Sequence, residues 1–224
     1  MTRRARVLVA AAALLMAGGF LLPLWQIRLL APQYPEGLGL YIHVNTVRGM
    51  TEHDLNSINS LNHYIGMKAI DPEAIPVLNI MPWVLGALVA GAVLVALAGR
   101  RKILAAWLGG YATAAMLGLT EFWKWERDYG RNLDLENAII KVPGMSYEPP
   151  LIGAKQLLNF TAISLPAAGA VLLGLAFLLG AYALFISVRA ERAARTEAAK
   201  GVDIAAEDTV TGVVDSRLQP AGGR

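Results

Sequence analysis

The 224-residue chain contains no cysteine, and this absence excludes several kinds of site at once. Without thiols there is no disulfide framework, thiolate zinc site, iron–sulfur cluster or covalently attached c-type haem. Charged residues are also scarce, at 17% of the chain against roughly 25% in soluble domains. The hydrophobic fraction of 55% and the mean hydropathy of +0.46 exclude a disordered chain. This composition is typical of a membrane protein.

Catalytic motifs are absent as well. The sequence has no nucleophile elbow, no HExxH pair, no phosphate-binding glycine loop and no pair of histidines placed in two spans to hold haem. We therefore predict that the chain is not an enzyme and assign no catalytic residue. The net charge of +3 does not indicate nucleic acid, because the basic residues flank apolar runs, as they do in membrane proteins.

Four uncharged apolar runs have about the length of 20 helical residues that crosses a bilayer. They cover residues 7–25, 77–98, 103–120 and 164–188. We therefore predict an all-α membrane protein with four transmembrane helices and two structured periplasmic segments. The first run resembles a signal peptide, but Pro23 and the residues after it form no cleavage site, which favours an uncleaved anchor.

The distribution of lysine and arginine predicts an orientation. Basic residues are concentrated in residues 1–6, 99–102 and 189–224, which places these segments in the cytoplasm. Residues 26–76 and 121–163 contain more acids than bases and fall on the outer side. We expect a bacterial inner-membrane protein with both termini in the cytoplasm. The tail begins as a helical extension and is predicted to become largely disordered.

The first outer segment is too long to be a simple loop, so we predict that it is folded. Residues 38–47 mix β-branched and aromatic side chains, as a short strand does. Apolar residues at helical spacing predict an amphipathic helix over residues 52–65, with Thr51 at its start and Gly66 at its end. Asn56, Asn59 and Asn62 form a polar stripe on this helix, which indicates either a solvated face or hydrogen bonds to other loops or a partner.

All three histidines of the chain lie in this segment, accompanied by two methionines. Imidazole and thioether groups without thiolates suit copper better than zinc, calcium or magnesium. The alternative is that the methionines fill gaps in a core and the histidines make ordinary hydrogen bonds. Both interpretations stay open, and the candidate copper ligands are His43, His53, His63, Met50, Met67 and Met145.

The second outer segment begins with aromatic and charged residues in alternation, at Phe122, Trp123, Trp125 and Tyr129. This pattern predicts that the third helix continues beyond the bilayer, as an interfacial anchor or as an acidic docking surface. The proline- and glycine-rich stretch 141–155 predicts a stiff loop that packs on the first segment or meets a partner. Candidate partner-binding residues are Asn59, Asn62, Tyr64, Tyr147, Pro149, Pro150 and Lys155.

Residues 62–67 (NHYIGM) and residues 141–160 (KVPGMSYEPPLIGAKQLLNF) carry a resemblance to a known family. Together with the four apolar runs, they resemble the small four-span membrane proteins of the NosB type, encoded beside nitrous oxide reductase in bacterial denitrification gene clusters. The resemblance covers the outer segments and the topology, but not the tail. It implies a periplasmic copper enzyme as client or neighbour, and it supplies no ligand residues.

Three functional hypotheses follow. The first is a non-catalytic accessory protein of a periplasmic copper system such as that of nitrous oxide reductase, acting in copper handling or in enzyme docking. The second is a structural or docking subunit of a larger respiratory membrane complex. The third is an electron-transfer or quinol-oxidising membrane subunit. Membrane lipid and a protein partner are expected in each case, and copper is the one candidate cofactor.

Overall fold

The computed structural model describes residues 1–142, 144–157 and 159–218, with side chains described as far as Ala198. The described residues form a helical bundle and a head that combines a β-sheet with one helix. The helices are α1 (Arg3–Ala17), α2 (Asp54–Tyr64), α3 (Pro76–Ala98), α4 (Arg101–Arg131) and α5 (Ala168–Leu218). The strands are β1 (Trp25–Ala31), β2 (Tyr34–Ile42), β3 (Val47–Gly49), β4 (Gly153–Leu157) and β5 (Phe160–Pro166). Short 3₁₀ turns cover Gly18–Phe20 and Pro72–Ala74.

The head contains a five-stranded antiparallel sheet in the order β3-β2-β1-β5-β4, so the prediction of an all-α protein is wrong. In β1, Trp25 and Ile27 face inward and are buried, whereas Arg28, the residue after Ile27, is exposed. This alternation is the signature of a strand with one covered face. The sequence analysis missed this strand, which begins at the last residue of the apolar run 7–25.

Three helices in the described part of the chain are long and apolar enough to cross a membrane, not the four that the sequence predicts. They are α3, α4 and the Ala168–Ala198 part of α5. The first predicted span fails because α1 has 15 residues and is therefore only about 22 Å long. The chain turns through Gly18–Phe20 after α1 and enters β1 at Trp25.

Small residues let α1 lie close to α3 and α5 in the bundle. Ala5, Val9 and Ala12 of α1 are fully buried in one cluster with Ala92 of α3 and Ala176 of α5. Small side chains at such contacts allow helix backbones to approach closely. The short first helix therefore belongs to the bundle core.

Basic residues gather at the end of the bundle that is remote from the sheet. The Arg6 guanidinium donates to the carbonyl oxygens of Ala96 and Leu97, at 2.7 and 3.2 Å. Arg101 forms an ion pair with Glu191 at 2.8 Å. The three basic segments recognised in the sequence are thus brought to one end of the molecule.

The helix at the start of the tail is longer than the sequence predicts. The sequence predicts a helical start followed by loss of order, whereas the backbone of α5 stays helical as far as Leu218. The composition between Arg189 and Leu218 explains this, because it is rich in alanine and contains no proline.

Hydrogen bonds join the two central strands of the sheet directly to the bundle. The Leu24 amide donates to Ile42, and the Leu24 carbonyl accepts from the Ala167 amide, at 2.8 and 3.0 Å. The Gly169 amide donates to Pro23 at 2.8 Å, and a Cβ at Gly169 would lie 2.7 Å from that same carbonyl oxygen. The head is therefore held against the ends of α1 and α5 without a linker.

The two outer segments pack against each other, a point that the sequence leaves open. The amides of Asp134 and Ile140 donate to the carbonyls of Gly66 and Tyr64, at 2.7 and 2.8 Å. The positive φ of Gly66, +77°, ends α2 as predicted and turns the chain toward residue 134. The predicted amphipathic helix is likewise confirmed as α2.

Replacement of Gly130 by alanine tests how the proline-rich loop is seated. A Cβ at Gly130 would collide with the backbone of Glu148, whereas a Cβ at Gly110 of the same helix would meet no described atom within 4 Å. We expect Gly130→Ala to lower the melting temperature by about 3–8 °C, because the loop must shift. Thermal unfolding in detergent provides the measurement. An equal effect of Gly110→Ala would contradict the predicted contact.

Candidate functional site

A cavity of about 260 Å³ lies between the inner face of the sheet and the helices α2 and α4. Its walls are mainly aliphatic. The sheet contributes inward-facing positions of its central strands, and α2 contributes its apolar stripe. Representative lining residues are Ile27, Leu29, Leu40, Ile58, Leu61 and Phe160.

Three of the residues that line this apolar cavity carry buried polar atoms without a hydrogen-bond partner in the described part of the chain. They are the indole nitrogen of Trp125, the carboxyl group of Glu126 and the hydroxyl of Tyr147, and none of them has a hydrogen-bond partner among the described residues. Glu126 is 2% exposed and Tyr147 is 3% exposed. Buried polar groups in proteins are nearly always hydrogen-bonded, so three unpaired groups around one cavity indicate a binding site.

The last three turns of α4 place two of these groups in the head. The apolar part of this helix ends at Thr120, and residues 121–131 are rich in charge and pack against the sheet and the loop after the helix. Burial raises the pKa of Glu126 to about 8, and the nearby carboxylate of Glu148 adds to this shift. A hydrogen bond from Ser164 to the Glu126 carboxylate would lower this pKa. The Ser164 hydroxyl, however, already donates its hydrogen to the Leu151 carbonyl at 3.1 Å and accepts one from the Trp25 indole at 2.8 Å.

An aromatic ladder supports the same part of α4. The rings of Trp25 and Phe122 are 5.2 Å apart, those of Phe122 and Trp125 are 6.1 Å apart, and those of Trp125 and Tyr129 are 4.8 Å apart. The Tyr129 hydroxyl points away to the carbonyl of Ala69, at 3.3 Å. The predicted extension of the helix beyond its apolar part is confirmed, and these aromatics pack on the head.

The structure does not bring the candidate copper ligands together. His53 and His63 lie at opposite ends of α2, roughly 15 Å apart along its axis. His43 lies in the turn after β2, where burial and then Arg48 lower its pKa. Within the described residues, no group of three or more His, Cys, Asp or Glu side chains could hold a metal ion.

The methionines are similarly dispersed. Met50 packs directly on Gly39, where a Cβ would collide with its sulfur. Met145 lies in the loop after α4, with its amide bonded to Val142. His63 and Met67 both line a second cavity of about 170 Å³, which Asp134 also lines, and Met67 lines the main cavity as well.

Several candidate partner-binding residues have contacts within the chain instead. Asn59 exchanges two hydrogen bonds with the backbone of Ile70, and Asn62 donates to Lys68. Lys155 donates to the carbonyl of Glu148 at 3.1 Å. Tyr147 and Pro149 line the main cavity, Pro150 is half-buried and Tyr64 is exposed.

Sequence reasoning missed Trp125 and Glu126 as site residues. The signal was present, because Phe122, Trp125 and Tyr129 recur at helical spacing and define one face that also includes Glu126. Glu126 was not predicted as a site residue because it lies in a run of charged residues, a pattern that is typical of a solvent-exposed helix face. Its burial depends on the sheet, which the sequence analysis did not foresee.

Exposed apolar side chains form a second feature, which we name the outer patch. It consists of Tyr64, Leu135, Ile139 and Ile140, and it combines both outer segments. The patch follows the C-terminal end of α4, which lies roughly 16 Å beyond Thr120. The hydrogen bond from the Ile140 amide to the Tyr64 carbonyl holds its two parts together.

The buried carboxyl group predicts a pH-dependent stability. Because the pKa of Glu126 is about 8 in the folded chain and about 4.5 when unfolded, the folded chain holds an extra proton between these values. The free energy of unfolding therefore falls as the pH rises through this window, with the loss complete above about pH 8. We expect Glu126→Gln to flatten the fall between pH 6.5 and 8. Burial lowers the pKa of His43, so its titration changes the stability in the opposite direction, but equally in parent and variant, and it cancels from their difference.

Thermal unfolding in detergent across this pH range provides the measurement. Glu121→Gln is the matched control, because Glu121 is an exposed carboxylate on the same helix and pairs with Lys124. An unchanged slope in Glu126→Gln would contradict the predicted burial of the carboxyl group.

Comparison with known proteins assigns no family to the chain. No protein-family model matches it, and no curated protein matches it. Its function is therefore inferred from the arrangement of its own residues and from the resemblance described above.

Proposed function

We propose that the protein is a non-catalytic membrane accessory protein that docks a folded client on its head. The outer patch is the observation that carries this proposal. The client is proposed to be a periplasmic copper enzyme of the nitrous oxide reductase kind, because the two stretches of the outer segments resemble the NosB type. Both stretches contribute to the head, and Tyr64 of the first stretch belongs to the patch itself.

The charge distribution supports a location at the periplasmic face of a bacterial inner membrane. Arginine and lysine cluster at the end of the bundle opposite the head, and such clusters stay in the cytoplasm. We therefore place the head in the periplasm, where it meets water-soluble clients.

The chemistry of the outer patch favours a protein as the occupant. Ile139 and Ile140 present aliphatic side chains to the surface, and the exposed residues Asp134, Glu136 and Lys141 lie beside them in the chain. Apolar patches with a polar rim are typical of protein interfaces. Leu135, Ile139 and Ile140 follow the charged end of α4 in the chain, which favours a position outside the bilayer core.

Docking has better support than copper handling. The six candidate ligands do not fit one copper site, because the histidines lie at separate places along the head. His63 and Met67 share a cavity, but these two side chains alone do not make a copper site. We therefore assign no step in the function to a bound metal.

A pull-down with purified nitrous oxide reductase tests the proposal. The full chain is immobilised in detergent, and captured enzyme is quantified for the parent and for Ile139→Asp. We expect at least a tenfold loss of capture in Ile139→Asp, because a charge in an apolar interface must be desolvated. Ile152→Asp is the matched control, since Ile152 is 61% exposed and Ile139 is 63% exposed.

Two results would overturn the proposal. One is capture that is unchanged in Ile139→Asp. The other is no capture of the reductase, together with stoichiometric recovery of a respiratory membrane complex from native membranes, which would favour a structural subunit. Replacement of both His63 and Met67 by alanine is expected to leave capture within twofold of the parent, and a larger loss would shift the function to those two residues.

A further inference from the structure

The head cavity shares Tyr64 and Ile140 with the outer patch, but its other lining residues give it a chemistry of its own. Aliphatic side chains form most of its wall, and the polar exceptions include Trp125, Glu126 and Tyr147. No lysine, arginine or histidine occurs among the described lining residues. An anion would therefore find no countercharge in the cavity, and a strongly hydrated cation would lose its hydration to aliphatic walls.

The unpaired polar atoms favour hydrogen-bond acceptors in a ligand. The indole of Trp125 can only donate a hydrogen bond, and the Tyr147 hydroxyl has a hydrogen to donate. The Glu126 carboxyl donates as well when it carries its proton. A ligand with carbonyl oxygens can accept hydrogen bonds from these three donors, and it has no polar hydrogen of its own that needs an acceptor in the cavity.

The size of the cavity limits the ligand to a compact body. Its volume of about 260 Å³ lies between the cavity of about 150 Å³ that holds benzene in another protein and the usual lower limit of about 300 Å³ for ligand pockets. One substituted ring fits this range, whereas the long acyl chain of a membrane lipid exceeds it.

We propose that the head cavity binds a ring-sized, uncharged carbonyl compound of the quinone class. The aliphatic walls take up the ring, and Trp125, Glu126 and Tyr147 donate hydrogen bonds to its carbonyl oxygens. The two carbonyl groups of a quinone lie on opposite sides of its ring, which suits donors that come from a helix and from a separate loop. This is a binding site, and no redox step is assigned to it.

Binding of duroquinone to the full chain in detergent tests the proposal. Duroquinone is fully substituted, and the chain has no cysteine, so adducts with thiols are excluded. Equilibrium dialysis against detergent micelles without protein gives the specific binding. Durene, the same ring and methyl groups without carbonyls, is the matched control ligand, and methyl octanoate represents an acyl ester.

Tyr147→Phe and Tyr129→Phe form a matched pair of variants. Both tyrosines line the cavity, but the Tyr129 hydroxyl is already bonded to Ala69. We expect Tyr147→Phe to weaken duroquinone binding about fivefold, which corresponds to one hydrogen bond, and Tyr129→Phe to change it less than twofold. Thermal unfolding confirms that both variants are folded.

Specific binding of duroquinone that exceeds that of durene at least tenfold would support the proposal. No specific binding, equal binding of durene, or stronger binding of methyl octanoate would overturn it, as would equal effects of the two tyrosine variants. Ile139→Asp is expected to bind duroquinone like the parent, because Ile139 is not among the lining residues. The cavity and the docking proposal can therefore fail independently.

Discussion

The pairing of β1 with β5 is the interaction on which the rest of the architecture depends. It joins Trp25–Ala31 to Phe160–Pro166, two strands that are more than 130 residues apart in the chain. β1 follows the short first helix and β5 leads into α5, so this one ladder fixes the head on the bundle. Such distant pairing carries a large loop-closure cost, which the burial of the inner face of the sheet must offset.

The same ladder makes the cavity possible. Ile27 pairs with Ser164 and Leu29 pairs with Ala162, which places a row of small and aliphatic side chains opposite α4. Ala162 and Ser164 are fully buried but short, and the space in front of them is bounded by Trp125 and Glu126. Burial of an ionisable group costs free energy, so retention of Glu126 in this position favours a role beyond packing. The docking surface and the cavity thus adjoin each other in one folded head, with Tyr64 and Ile140 common to both.

Features set by local pattern could be predicted from the sequence. The helix α2, its end at Gly66 and the extension of α4 follow from spacing within a few residues of each other. The sheet could not be predicted in the same way, since β1 starts where one apolar run ends and the end of β5 lies within the apolar run 164–188. The count of spans failed for a related reason: the run 7–25 has the right length, but a turn at Gly18–Phe20 divides it. The candidate site could not be predicted because it depends on the sheet. Glu126 is buried only when strands that are distant in the chain lie against its helix.

The edges of the sheet determine how another protein can approach it. The edge strands β3 and β4 have only three and five residues, and each carries an exposed cation, Arg48 and Lys155. Short, charged edges discourage the addition of a further strand. Recognition by β-augmentation is therefore disfavoured, and so is edge-to-edge self-association of neighbouring heads in a crowded membrane. A partner protein must therefore bind through side-chain contacts. The head then selects its partner by the shape of the contact surface more than by backbone hydrogen bonds.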